Sequence, residues 1–134
     1  MTGYSIVARG AAWRLYCAEG CIESQLLSEV TRLGASRAFI VTSPSIAMKT
    51  TTIARVERTL GEAHAGTYAE IENDSTYRSV VAAADAGSAV GADLIVAVGG
   101  GSVIVAARAV DIFICEDGDP FEIMTQYPAG GHSD

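Results

Sequence analysis

Apolar positions along the chain alternate between two periods. Leu26, Leu27, Val30 and Leu33 recur every three or four residues, which predicts an amphipathic helix over Ser24–Leu33, closed by Gly34. RAFIVT (Arg37–Thr42) is a short β-rich run that Ser43-Pro44 stops, so it predicts a strand. Ile53, Val56 and Leu60 then mark the inner face of a helix over Ile53–His64, with Arg55, Glu57 and Arg58 outward. Thr67–Ile71 predicts a second strand. Glu72, Asn73 and Asp74 predict a polar turn, with Asp74 or Ser75 as the cap of a helix over Thr76–Val90 that packs through Val80, Val81, Ala84 and Ala89. Gly91 ends that helix, and Leu94–Val98 is an apolar, β-branched strand far too short to span a membrane.

The Ala-rich stretch after Ser102 predicts a helix through Ala109 and on to Cys115. The apolar residues of DIFIC also alternate, so a strand competes there and the helix is preferred. At the two ends the pattern is weaker. Ser5–Ala8 and Ala12–Cys17 predict a hairpin within residues 1–22; after the EDGDP loop, Phe121–Thr125 predicts a short helix, and residues 126–134 a loop-like tail. Strand and helix alternate at roughly thirty-residue intervals, which implies right-handed crossovers. The expectation is an α/β fold, a mostly parallel sheet flanked by helices, in a single domain over residues 1–134.

Composition narrows the function. A net charge of -7, with no basic run to offset it, argues against general binding to nucleic-acid phosphates. Hydrophobic residues make up 49% of the chain and charged ones 19%, a balance that leaves apolar surface for a partner and predicts a homo-oligomer or a complementing chain. Three cysteines at irregular spacing predict reduced thiols and a cytoplasmic location. Arg9 and Arg14 interrupt the only N-terminal apolar stretch, so neither a signal peptide nor a membrane anchor is expected. Cys17 and Cys21 stand four apart, but Gly20 suggests a turn and no histidine or second pair completes a zinc set. His64 is expected as a dipole partner at a helix end and His132 as a tail residue; no metal is expected on the chain.

The candidate chemistry lies in DLIVAVGGGSVIVAARAV, residues 93–110. A strand runs into Gly99, Gly100 and Gly101, and a helix follows. Glycines carry no Cβ and admit positive φ, so a phosphate can approach the backbone N–H groups and the positive end of the helix dipole. Ser102 is expected both as N-cap and as a hydroxyl donor to the anion. A tight strand-to-helix turn with no ligand explains the same residues, since neither the six-position dinucleotide fingerprint nor a Walker lysine is present. Ser43 ends the Arg37–Thr42 strand, where a nucleotide-binding α/β unit holds its ligand, and is a candidate ribose contact beside the plain reading of a turn serine.

Together these segments resemble the iron-containing (group III) alcohol dehydrogenases and maleylacetate reductases. ADLIVAVGGGSVIVAARAV is similar to their GGGS segment, LGASRAFIVTSPSI to their first strand, ENDSTYRSVVAAADAGSAVGADLIVAVGGGS to the helix leading into the glycine loop, and DGDPFEIMTQYPAGG to the loop after it. The resemblance covers nearly the whole chain. It implies a Rossmann-like N-terminal domain with NAD or NADP bound by its pyrophosphate to Gly99, Gly100, Gly101 and Ser102. Ser43 falls where many members carry an acidic residue that holds the adenosine ribose, so a 2′-phosphate is not repelled here.

Two departures follow from the same resemblance. Members usually read GGGS-x-I-D-x-x-K, whereas this chain has Val105 and Arg108 at the aspartate and lysine positions. It also implies a truncated domain: relatives continue into a further strand and an all-helical domain that supplies the aspartate and histidines of the metal site. Three readings are therefore carried forward. The chain is the NAD(P)-binding part of a split or heteromeric oxidoreductase; or a non-catalytic assembly or nucleotide-sensing protein; or a hydrolase-type enzyme working in the old crevice through Ser102 or a cysteine. No Ser/His/Asp or Cys/His spacing supports the last.

Overall fold

The computed structural model describes residues 6–9 and 14–115. Its elements in order are β1 (Ile6–Arg9), β2 (Arg14–Cys17), α1 (Cys21–Arg32), β3 (Ala38–Thr42), α2 (Pro44–Lys49), α3 (Thr52–Leu60), β4 (His64–Tyr68), α4 (Tyr77–Ala89), β5 (Leu94–Val98) and α5 (Gly101–Cys115). A single 3-10 turn, Gly61–Ala63, joins α3 to β4. β1 and β2 form the expected antiparallel hairpin, Ile6 opposite Cys17 and Arg9 opposite Arg14. The main sheet is parallel with order β4-β3-β5. β3 and β5 run in register from Ala38–Leu94 to Thr42–Val98.

The position of β3 explains its composition. A central parallel strand is covered on both faces, so all five residues of AFIVT are buried. Their side chains alternate between two cores. Phe39 and Val41 pack with Val80, Ala83 and Ala84 of α4 and Val103, Ala106 and Val110 of α5. Ala38 and Ile40 pack with Val30 of α1 and Ile53, Val56 and Leu60 of α3. Small residues let the layers close: a Cβ at Gly87 would lie 3.0 Å from Ile114 and 3.3 Å from Phe39. The fold is thus α/β, a parallel three-stranded sheet between helices, as its alternating periods predict. No helix among the described residues is long and apolar enough to cross a membrane.

Several local expectations change. Ser43-Pro44 does more than stop β3: Ser43 caps α2 by accepting the Ile46 amide, and Pro44 occupies its first turn. The helix expected to reach His64 ends at Leu60, and His64 closes the 3-10 turn that follows and opens β4, so the strand lies three residues earlier than expected. Gly61, at φ 55°, breaks the helix there. The cap of α4 is Thr76, whose hydroxyl accepts the Ser79 amide; Asp74 and Ser75 instead adopt positive φ. α1 buries only Val30, and Leu27 and Leu33 are exposed because the helix overlies the sheet along one narrow stripe. On α4, Ser79, Ala83 and Gly87 join Val80 and Ala84 in the interface, and Ala89 is exposed. The DIFIC segment is helical, the end of α5. The short helix expected over Phe121–Thr125, the tail and His132 lie outside the described residues.

Candidate functional site: a cleft at the carboxyl end of the sheet

The chain leaves β3 toward β4 on one side and reaches β5 on the other. Strand order therefore reverses between β3 and β5, and open α/β sheets form a crevice at the carboxyl ends of such strands. A cleft of about 260 Å³ lies there, lined by Ser43, Ser45, Ile46, Ile71, Asn73, Gly100, Gly101, Ser102 and Val103. Ser43 and three of the four GGGS residues, far apart in sequence, meet in it. Its polar lining is neutral, three hydroxyls and one amide, with no charged side chain among the lining residues.

The three glycines do different work. Gly99 has φ 151°, and a Cβ on it would meet Val103 at 2.8 Å, so the fold itself requires glycine there. Gly99 does not line the cleft; it makes the turn that aims the next residues into it. Gly100 and Gly101 have no positive φ, and a Cβ on either would meet nothing within 4 Å. Neither conformation nor packing asks for glycine at these two positions. What their missing side chains preserve is open space above the backbone. The amides of Gly101 and Ser102, in the first turn of α5, find no protein acceptor among the described residues, whereas those of Val103 and Ile104 both donate to the Gly100 carbonyl.

Ser102 is not the cap expected of it, because α5 already begins at Gly101. It sits in the first turn, and its Oγ accepts the Asp74 amide at 3.1 Å. Ser75 donates its hydroxyl to the Ser102 carbonyl. The loop beneath is braced in turn: Glu72 accepts from Thr76 and Arg78, which hold its carboxyl below the usual range, with Thr76 contributing most. Ser45, Asn73, Asp74 and Ser75 were not predicted as site residues. The Ser-Pro pair at 43–44 is a cap-plus-first-turn signature that places Ser45 at the cleft, and Asn73-Asp74 is a pair that tolerates left-handed backbone. The bond between residues 74 and 102 leaves no sequence signal.

No group of three or more His, Cys, Asp or Glu side chains among the described residues could hold a metal ion. His64 lies at the amino end of β4, the opposite end of the sheet, with Nε2 2.8 Å from Thr67 Oγ1; Thr67 in turn donates to Glu57. Cys17 is exposed and Cys21 partly buried, both as free thiols.

Residues 13–132 match the family model of the iron-containing alcohol dehydrogenases. The chain belongs to that family. A Ralstonia eutropha JMP134 protein assigned as an alcohol dehydrogenase is 35% identical over 66% of this chain and 25% of its own, with a TM-score of 0.60. Maleylacetate reductase from Agrobacterium tumefaciens is 28% identical over 68% of this chain and 25% of its own, TM-score 0.61. Sulfoacetaldehyde reductase from Bifidobacterium kashiwanohense, solved in complex with NAD+, shares the fold at 18% identity over 85% of this chain and 29% of its own, TM-score 0.71. The chain thus spans between a quarter and a third of the length of these three relatives. A comparison with curated proteins finds no match.

Proposed function

We propose that this family member binds NAD or NADP in the cleft between β3 and β5, as the nucleotide-binding part of an alcohol dehydrogenase-type oxidoreductase. The observation that carries the reading is the pair Gly100 and Gly101. Both are glycine where the fold has no need of it, and both keep clear the approach to unpaired amides at the start of a fifteen-residue helix. The pyrophosphate rests on residues 100–102, Gly99 supplies the turn, and Ser43 and Ser45 face the adenosine ribose. With no carboxylate lining the cleft, a 2′-phosphate meets no like charge, so both dinucleotides are accepted. The relative solved with NAD+ supports the choice of ligand. Bound there, the dinucleotide supplies the hydride acceptor or donor; this chain's residues hold and orient it. The Lewis-acid part of the family's chemistry belongs to groups beyond the described residues.

Among the described residues β5 pairs only with β3, and a second element of the reading is that another copy of this chain or a complementing chain packs along its other side. Clefts of about 330 and 590 Å³ flank β5, one against α5 (Ile104, Ala107, Arg108) and one against β2 and α1 (Tyr16, Ile22, Leu26). α4 carries the chain from β4 across β3 to β5 over the face that α5 also covers. A right-handed connection leaving α5 continues outward, so a further parallel strand belongs at this edge.

Calorimetry with NAD, NADP and ADP-ribose tests the cofactor site. Saturable binding that Gly100→Val abolishes supports it; equal binding by the variant shows that the loop is only a turn.

A further inference from the structure

We propose that two copies of this chain pair through β5, antiparallel about a two-fold axis normal to the sheet, so that two three-stranded sheets join into one of six strands. This rests on the second element of the reading above and not on the cofactor site. The two edges of the sheet differ in what guards them. β4, HAGTY, carries a histidine, a glycine and a threonine, and its register against β3 shifts between Ala38 and Phe39. Polar side chains and irregular pairing are how natural sheets blunt an edge. β5, LIVAV, has no charge, no proline and no glycine, and its register against β3 is unbroken from Leu94 to Val98. It is apolar on both faces, as interior parallel strands are. Yet all five of its residues are only partly buried, whereas all five of β3 are buried. Its composition suits an interior position that one copy of the chain does not give it among the described residues.

The clefts beside β5 specify what belongs there. One of about 330 Å³ opens on the α5 face and one of about 590 Å³ on the α1 face. A strand laid along the edge sends alternate side chains to the two faces and so enters both clefts. It must be apolar on both faces. Within this chain β3 is already interior, β1 and β2 each carry an arginine, and residues 116–134 have no apolar run longer than Ile123-Met124. β5 itself qualifies. Ile95 and Ala97 belong to the core with α4 and α5, and Leu94, Val96 and Val98 to the core with α1 and α3. A second β5 with its faces kept on the same sides brings three branched side chains to the larger cleft, and Ile95 and Ala97 to the smaller. Symmetry fixes the direction. A connection within one chain delivers a parallel strand here, but between identical strands a two-fold axis along the strands sets N–H against N–H. An axis normal to the sheet runs them antiparallel, matches each N–H to a C=O and keeps each face on its own side. Pairing along the whole of β5 centres on Val96, with Leu94 of one copy opposite Val98 of the other. Ile104, exposed in one copy, lines the smaller cleft and is covered in the pair.

The test uses the full chain and no ligand. Light scattering and amide hydrogen exchange at residues 94–98 are followed across one concentration series. The expected result is conversion of a 13.9 kDa species to one of twice that mass, with the β5 amides gaining protection over the same range. In a dimer mixed from isotopically labelled and unlabelled copies, nuclear Overhauser contacts between the methyl groups of Leu94 in one and Val98 in the other fix direction and register. Ile104→Glu puts a carboxylate into the smaller cleft and is expected to raise the dissociation midpoint at least about tenfold. Ile104 is exposed in a single copy, so at low concentration the variant is expected to melt with the monomeric parent. A dimer with protected β5 amides but without the Leu94–Val98 contacts overturns the antiparallel pairing and leaves the reading of packing along β5 standing. A monomer at high micromolar concentration overturns the pairing and leaves that reading to a complementing chain. A dimer whose β5 amides exchange as freely as the monomer's overturns both.

Discussion

The two ends of the parallel sheet are built from similar residues to opposite purposes. At the amino end a set of polar side chains is spent on the fold. Asp93 accepts the amides of Ser36 and Arg37 and the Ser36 hydroxyl, and Arg37 Nε donates to the Val90 carbonyl at 2.7 Å. Those amides, Ser36 first, hold the Asp93 carboxyl below its ordinary range. His64, Thr67 and Glu57 form a closed chain beside it. At the carboxyl end the amides of Gly101 and Ser102 find no acceptor among the described residues. Unspent donors that face open space cost stability unless water or a ligand takes them. Satisfied polarity marks structure; on the proposed reading, the donors left over at the start of α5 are those that a phosphate takes.

The largest expected effect sharpens this contrast. Gly100→Val places a side chain in the open cleft and is expected to lower dinucleotide affinity at least about a hundredfold, roughly 3 kcal/mol by the usual conversion. Its melting temperature should stay close to that of the parent, because a Cβ at this position meets nothing within 4 Å. Calorimetry and thermal melting together check it; a binding loss accompanied by unfolding would merge the two ends into one structural explanation.

Gly99→Ala is the counterpart inside the same loop. Its φ of 151° and the 2.8 Å approach to Val103 predict a loss of about 1–3 kcal/mol in unfolding free energy, measured by denaturant titration. A Gly99 variant as stable as the parent, or a Gly100 variant as unstable as Gly99→Ala, would erase the division of labour among the glycines.

Next in size are changes at the amino end. Asp93→Asn should lower the melting temperature and leave dinucleotide affinity unchanged, since the sheet separates it from the cleft. Acid should also lower the melting temperature, through an ion pair on the carboxyl-end side of the sheet, between the first turns of α1 and α3. The Arg55 guanidinium, through its hydrogen bonds, is the main cause that brings the Glu23 carboxyl from 4.5 down to about 2. A folded value below the unfolded one means the contribution is full above about 4.5 and fades as pH falls toward 2. Melting temperature against pH should therefore fall across that window, less steeply in Glu23→Gln. An unchanged slope removes this pair from the account.

The smallest effect concerns His64. Truncation to alanine breaks a half-exposed link to Thr67 and is expected to cost less than about 1 kcal/mol, with no change in cofactor affinity. A measurable loss of binding would tie the two ends together. For the β5 edge, light scattering across a concentration series separates a monomer of 13.9 kDa from an assembly. A monodisperse monomer at high micromolar concentration argues against association through that edge.

The sequence by itself determined the class of fold, the central strand and the glycine loop. Those features are local: Leu94–Val98 is a run of apolar β-formers, Ile53, Val56 and Leu60 share a helical face, and three glycines with a serine punctuate the junction. The sequence also bore the family resemblance, spread along almost its whole length. Only the tertiary structure decided where the elements end and which groups are spent. His64 belongs to β4 because Ala38 pairs with it, against the helical continuation that its neighbours suggest. Asp74 and Ser75 are held in left-handed backbone by partners 27 and 28 residues away, whereas local preference offers them as caps. Gly99, Gly100 and Gly101 look alike as letters. They differ because Val103 packs against one and nothing packs against the other two. Local preferences differ by little, and long-range contacts decide between them; the free space that makes a site is visible only after the chain has folded around it.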